Sequence, residues 1–381
     1  MMQNKSISFN PMVSKSVYLE TIGLNDSIFQ VLKHSLNNNN LSLGNQKKGN
    51  TLIKSCDSKN LSENTVASEN YSILFEDEST HKILLKIKMS IAHAITNLIS
   101  INISSLKNIY LSVSAKIDLK DEKIITHEYL YKFISQFCSF SQLTLLYFMN
   151  SNFEKNSEDH EFSNSLITVK AYSPISPDIN IARTTSFDSD IREKSFLLLI
   201  DLGFGLNRIG GSLLSKIYNL SGYHVPEINS LKDIQKFLVL IRILIRYRLI
   251  LRCYDRSIGG LFLTIAKMSF SEKIGISVNL DMLTFDDKIT DWGDYKIRPE
   301  QISVQRNESS LKSLFCEELG AVIQIPASKR NLIMKVLQKS GLSKYSHIIG
   351  TLNHSEKIEI FQDGKKIWEE SIKNLCQILT E

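Results

Sequence analysis

The sequence predicts an α+β chain, with α/β character in its second part, folded as two units. Three observations carry that expectation. FLLLIDLG, from Phe196 to Gly203, is a short continuous apolar run that ends at glycine and precedes a helical pattern, as a strand buried on both faces would. Apolar residues from Ile83 to Leu98 recur at helical spacing between runs of strand character. The patterned stretches also fall into two groups divided near residues 180–192. We therefore expect a weakly ordered segment at 1–70, one α/β unit at 71–185 and a second at 190–381.

In chain order, SVYLETIG (Ser16 to Gly23) is β-like, and Ile28, Val31 and Leu32 mark a brief helix. A polar tract from Asn37 to Asn64 has no sustained period and reads as a long loop. Strands are expected at Tyr71 to Asp77, Ile109 to Ala115, Leu143 to Met149 and Ser165 to Ser173, with a helix at His127 to Phe140. In the second unit, helices are expected at Ser212 to Leu220, from about Leu231 to Arg252, and behind Gly259-Gly260. Strands follow at Gly275 to Asp281 and Ala321 to Pro326. A helix stopped by Gly341 comes next, then the strand SHIIGTL, and Asp363-Gly364 lies between alternating runs as in a hairpin.

Composition excludes more than it suggests. The 45 basic and 40 acidic residues leave a net charge of +5, which points to neither nucleic acid nor an anionic membrane as partner. The 5 cysteines form no C-x-x-C pair, so neither a zinc site nor a redox motif is supported, and the odd count fits a reducing, cytoplasmic setting. The most apolar stretch, Phe237 to Leu251, carries Arg242, Arg246 and Arg248, which are costly at a bilayer centre. Heavy use of Ile, Asn, Lys and Ser, with a run at Asn37 to Asn40, has the look of an AT-rich, endosymbiont-like genome.

Three segments could carry chemistry. DLGFGLNRIGGS (Asp201 to Ser212) joins a strand to a helix; its glycines suit either a phosphate contact or a plain tight turn. It is neither a dinucleotide fingerprint nor a P-loop, because Arg208 fills the third glycine's place and no Gly-Lys-Ser/Thr follows. In CYDRSIGGLF (Cys253 to Phe262), Asp255 could bind Mg2+ and Ser257 a phosphate, or either could cap the next helix. In FCEELGAVIQIP, the pair Glu317 and Glu318 reads as a solvated face rather than as an acid/base pair.

In this order the segments resemble a family. CYDRSIGGLFLTIAKMSFSEKIGISVNLD followed by LFCEELGAVIQIP is similar to the synthetase domain of phosphoribosylformylglycinamidine synthase in its large single-chain form, at the second of its two homologous halves. FLLLIDLGFGLNRIGGSLLSKIY, SENTVASENYSILFED and IAHAITN resemble segments upstream in that family. The resemblance implies a two-unit fold of the aminoimidazole ribonucleotide synthetase type. An N-terminal unit contributes half of a shared barrel, and a C-terminal unit packs a sheet under helices. It also implies an ATP-dependent carbon–nitrogen ligase of purine biosynthesis with glutamine as amide donor, using ATP/ADP and Mg2+. Carried over residue by residue, it makes Asp255 and Asn97 metal ligands and Asp255 and Ser257 nucleotide-binding residues; it assigns no catalytic residue.

This chain departs from the pattern at several places. His93 replaces the glutamate of the Glu-x-x-x-Asn97 helix, and an imidazole suits Mg2+ poorly. The upstream aspartate falls near Gly49 or Asn50; Leu146 to Ser151 replaces Pro-Val-Gly-Lys-Asp-Ser; Ile258 replaces a second aspartate and Tyr254 a histidine. The family's glutaminase domain would lie beyond Glu381. Two expectations follow: one piece of a split ligase whose first half and glutaminase sit on another chain, or a non-catalytic structural lobe that no longer binds nucleotide. In either case the chain alone is expected to be inactive.

Overall fold

The computed structural model describes residues 19, 22–37, 65–67, 71–75, 80–99, 109–116, 144–145, 165–174, 194–228, 230–256, 258–284 and 299–378. The helix α1 (Leu24–Asn37) precedes the first unit, which contains β1 (Thr65–Ala67), β2 (Tyr71–Phe75), α2 (Thr80–Ile99), β3 (Tyr110–Lys116), β4 (Thr144–Leu145) and β5 (Ser165–Pro174). Its sheet runs β1-β5-β3-β4, with β2 also pairing to β5. All pairs are antiparallel except β3 with β4. β2, β3 and β5 fall where the β-like runs placed them, β4 covers the described part of the run at Leu143 to Met149, and β1 lies in the segment expected to be weakly ordered. The expected helix at His127 to Phe140 lies outside the described residues.

The second unit contains β6 (Ser195–Asp201), α3 (Leu213–Ile217), α4 (Leu231–Arg246), β7 (Arg252–Asp255), α5 (Gly260–Glu272), β8 (Gly275–Asn279) and α6 (Asp281–Thr284). Then come α7 (Pro299–Phe315), β9 (Gly320–Pro326), α8 (Arg330–Ser340), β10 (Ser346–Asn353), β11 (Lys357–Gln362), β12 (Lys365–Ser371) and α9 (Ile372–Ile378). The sheet order is β12-β11-β8-β10-β6-β9-β7. Only β11 with β8 is parallel.

The apolar run of β6 follows from its central place, because both of its faces are covered. Leu198 and Ile200 join one core with Phe237, Ile241 and Leu244 of α4 and Ile333 and Leu337 of α8. Leu197 and Leu199 join the opposite core with Phe262 of α5, Phe315 of α7 and Leu375 of α9. Each such side chain, fully buried, is worth about 1.5–3 kcal/mol. The first core also takes in Ile91, Ile95 and Leu98 of α2, so the helix of the first unit packs on the second. The opposite core takes in Ile28, Val31 and Leu32 of α1. Asn25 of α1 accepts a hydrogen bond from the Trp368 indole at 3.0 Å. A helix from the segment expected to be weakly ordered is therefore docked on the second unit. Among the described residues no helix is long and apolar enough to cross a membrane.

Two expectations need correction. Leu19, Ile22 and Gly23 are not strand; Leu19 begins a turn in which the Ile22 N–H donates to its carbonyl at 3.2 Å. The helix expected to reach Arg252 stops at Arg246. Arg248 adopts a left-handed φ of 51°, and the Leu249 N–H closes back on the Leu244 carbonyl at 2.8 Å. The chain then re-enters the sheet as β7, with Cys253 opposite Ile323.

The stop at Gly341 holds, with φ 75°. A Cβ there would meet only the Lys236 ammonium, at 4.0 Å, so the glycine is needed for its backbone angle and not for space. Gly341→Ala is expected to cost about 1 kcal/mol, read as a shift in urea midpoint with unchanged slope.

Candidate functional site

The strand directions bring the singled-out segments to one edge. β10 runs antiparallel to both β6 and β8, β11 runs parallel to β8, and β7 and β6 both run antiparallel to β9. β6, β7, β8 and β11 therefore all finish at the same edge, where ligands of open α/β sheets gather. Asp201 ends β6 and Asp255 ends β7; Glu317 and Glu318 immediately precede β9.

Asp255 is half-buried, and α2, which carries the buried Asn97, packs against β7. The two expected ligands thus stand on elements in contact. Ser257 lies outside the described residues. His93, one turn before Asn97, is buried and donates to the Glu317 backbone carbonyl. Its pKa is lowered to about 4, chiefly by burial; the hydrogen bond to the Glu317 backbone opposes the shift and the nearby Arg256 guanidinium adds to it. At neutral pH it is an uncharged donor that ties α2 to the loop before β9.

The acidic pair is not a solvated face. Glu318 is 1% exposed. Its carboxylate takes a bidentate fork from Arg208, with Nε at 2.7 Å and an Nη at 2.9 Å, and also accepts the Arg208 backbone N–H at 3.1 Å. Arg208 reaches on to the Glu227 carbonyl at 2.9 Å. Arg256, 1% exposed, pairs with Asp201 and donates to the backbone carbonyls of Glu318 at 2.9 Å and Leu319 at 3.1 Å. Burial pushes the Glu318 carboxyl upward against the pull of both guanidiniums. The same burial pushes the neighbouring Cys316 thiol up to about 12, so it is no nucleophile.

The glycine turn is filled from within. Asp201 accepts the N–H groups of Gly203 at 2.9 Å and Gly205 at 2.7 Å. The Gly210 N–H donates to the His224 carbonyl at 2.8 Å. Glu317 accepts the Leu213 N–H at 2.9 Å, at the start of α3, and the Gly259 N–H at 2.8 Å, at the start of α5. A carboxylate thus sits where two helix N-termini favour an anion. Gly203 is required by the packing, since a Cβ there would stand 2.6 Å from the Glu318 carboxyl carbon.

Mg2+ seeks several hard oxygen donors. Here the matching positions offer one carboxylate, one amide and an imidazole already donating to a carbonyl. Among the described residues there is no group of three or more His, Cys, Asp or Glu side chains placed to hold a metal. This donor set does not fit the ion. The charged cluster went unread in the sequence. Its available signal was an acid closing an apolar strand (Asp201) and an acid pair opening another (Glu317, Glu318).

Residues 197–363 match the family model described as AIR synthase related protein, C-terminal domain. Among solved structures, the chain is similar to Thermotoga maritima PurL complexed with FGAR, with a TM-score of 0.60 and 10% identity over 93% of this chain and 53% of that one. It is also similar to Thermotoga maritima PurL complexed with ATP (TM-score 0.53, 11% identity, 82% of this chain and 44% of that one). The complex with ADP gives a TM-score of 0.54 at 9% identity, over 82% and 43%. The chain thus spans about half the length of the structures it matches. The match over residues 197–363 and the likeness to PurL across both units show that this chain has the AIR synthase-type fold.

Proposed function

We propose that this chain is one lobe of a phosphoribosylformylglycinamidine synthase, the cytoplasmic ATP-dependent ligase that converts formylglycinamide ribonucleotide to formylglycinamidine ribonucleotide with glutamine as amide donor. A separate chain supplies the first synthetase half and the glutaminase. The observation that carries this reading is the similarity of nearly the whole chain, both units included, to about half of PurL in its complex with FGAR. Within that pairing the lobe contributes shape and interface rather than a nucleotide. Three internal carboxylates, from Asp201, Glu317 and Glu318, take the N–H groups that a phosphate would need.

Two measurements test the two parts of the proposal. An intact nucleotide site at ligand one hundred times its dissociation constant adds about 2.7 kcal/mol of stability. We expect no measurable shift of the melting midpoint with Mg·ADP; a clear upward shift would reject the structural role and favour a lobe that still holds nucleotide. For the pairing, we expect no turnover of formylglycinamide ribonucleotide with ATP and ammonia by the chain alone. Turnover should depend on co-purification with a chain that carries the first half. Activity of the isolated chain, or an active first half indifferent to this one, would overturn the proposal.

A further inference from the structure

The helices α4 and α8 pack antiparallel on the outside of the sheet. Lys329, just before α8, donates to the Arg248 carbonyl beyond the end of α4 at 2.7 Å. At the other end of the pair, Gly341 lies beside Lys236. Their inward faces are spent in the core, through Phe237, Ile241 and Leu244 on α4 and Ile333 and Leu337 on α8. Their outward faces have two properties that do not belong together on an ordinary solvated surface.

The first is charge. Residues 231–248 and 327–345 carry ten basic residues and one acidic residue, Asp233. That single acid is paired with Lys236 at 2.7 Å. The chain as a whole has a net charge of only +5, so this face concentrates positive charge that the rest of the molecule offsets. The second is apolar exposure. Val239, Ile243 and Tyr247 stand at i, i+4 and i+8 on the outward side of α4 and its C-cap, between 38% and 66% exposed. Leu332 on α8 is 51% exposed. Of the seven large hydrophobic side chains exposed among the described residues, these four share one helix pair. Eight residues of helix make a stripe about 12 Å long, the length of a short helical contact.

We propose that this face docks an acidic amphipathic helix of a partner protein, laid along the α4–α8 pair with its apolar stripe on Val239, Ile243, Tyr247 and Leu332 and its carboxylates among the flanking lysines and arginines. A second copy of this chain does not fit, because a symmetric contact would set two strongly basic faces against each other. A lipid surface takes a broad apolar face sunk about 5–10 Å into the acyl boundary, and here the inward faces are spent in the core, leaving one outward stripe between charged side chains. Single-stranded nucleic acid stacks on aromatic platforms, and Tyr247 is the only aromatic in the stripe. The proposal stands apart from the ligase reading, since none of its residues ends a strand at the site edge.

The test uses the full chain and a fluorescein-labelled synthetic helix of about five turns, with leucines on one stripe and glutamates elsewhere, read by fluorescence anisotropy. We expect saturable binding, and binding at least about tenfold weaker for a peptide of the same composition with the stripe scrambled. Ile243→Glu with Arg246→Glu should weaken the striped peptide by a similar factor and leave the melting midpoint unchanged. If that variant fails to fold, Leu332→Ser with Lys335→Glu serves in its place on the other helix. Absence of binding, equal binding of the scrambled peptide, or variants that bind like wild type would each overturn the proposal. So would preferential binding to phosphatidylserine vesicles or to a uridine homopolymer, which would hand the face to lipid or RNA.

Discussion

Glu318→Ala is expected to destabilise the chain by about 3–5 kcal/mol, the range for removing one partner from a buried ion pair. The magnitude follows from what the truncation leaves behind. Arg208 is buried and holds Glu318 through two nitrogens of its fork, so its charge would be left with only the half-exposed Glu227 carboxylate at 3.1 Å. The Arg208 backbone N–H loses its acceptor at the same time. Among the described residues nothing nearby replaces the carboxylate. Asp201 is already engaged with Arg256 and with the two glycine N–H groups, and Glu227 reaches Arg208 only from the solvent side. At roughly 2–4 °C per kcal/mol, the melting midpoint falls by about 10 °C.

Glu318→Gln separates charge from shape. It retains the volume and one acceptor, and it should fall between wild type and the alanine variant. If Glu318→Ala costs less than about 1 kcal/mol in urea unfolding, the cluster is not a structural keystone and water must be replacing the lost carboxylate. Glu317→Ala offers a contrast within the same dipeptide. Its carboxylate serves two backbone N–H groups and no arginine, so the loss should be smaller.

The sequence exposed those parts of the fold whose physics is local. β6 was legible because a central strand buried on both faces is apolar on successive residues, here Phe196 to Ile200, and α4 because its buried residues keep a single face. The Asp363-Gly364 hairpin was legible because both residues take left-handed φ values, 51° and 70°. What escaped depends on partners far along the chain. Cys253 to Asp255 is too short to announce a strand, and it becomes one only by pairing with β9, with Tyr254 opposite Val322. α7 begins at Pro299 and is sparse in apolar residues, and the buried apolar side chains among its described ones, Leu311, Leu314 and Phe315, lie near its end.

The candidate site shows the same limit more sharply. Resemblance singled out Asp255 and Asn97, and the fold carries them on packed elements, β7 and α2. The internal partners of Glu317 and the burial of Glu318 could not be read, because adjacent acids usually face solvent and these partners are remote. Leu213 N–H lies 104 positions from Glu317, and Arg208 lies 110 positions from Glu318. A charge is as cheap in the sequence whether it ends in water or against a guanidinium; only tertiary structure tells the two apart.

His93 leads to the second large effect, a loss of stability in acid. Its pKa is about 4 in the folded chain against 6.5 as the reference value, so below 6.5 the unfolded chain binds a proton that the native state refuses. Stability must therefore fall as pH drops from 6.5, and the loss is complete a little below 4. The span corresponds to about 3 kcal/mol. Glu317 and Glu318 act with the opposite sign. Burial raises their carboxyls, so their contribution is full below the unfolded carboxylate range and is lost as pH rises through the folded one. Half-buried His347 is lowered by burial and adds to the trend of His93.

These overlapping titrations make the wild-type profile alone ambiguous, and a difference between two profiles removes the ambiguity. His93→Gln keeps a neutral donor within reach of the Glu317 carbonyl and cannot titrate. We expect wild type and variant to have similar urea midpoints at neutral pH. As pH falls toward 4, wild type should lose about 3 kcal/mol more than the variant. Parallel profiles would mean that the imidazole is solvated or charged in the native state. The hydrogen bond from α2 to the loop before β9 would then not be what holds the first unit against the site edge.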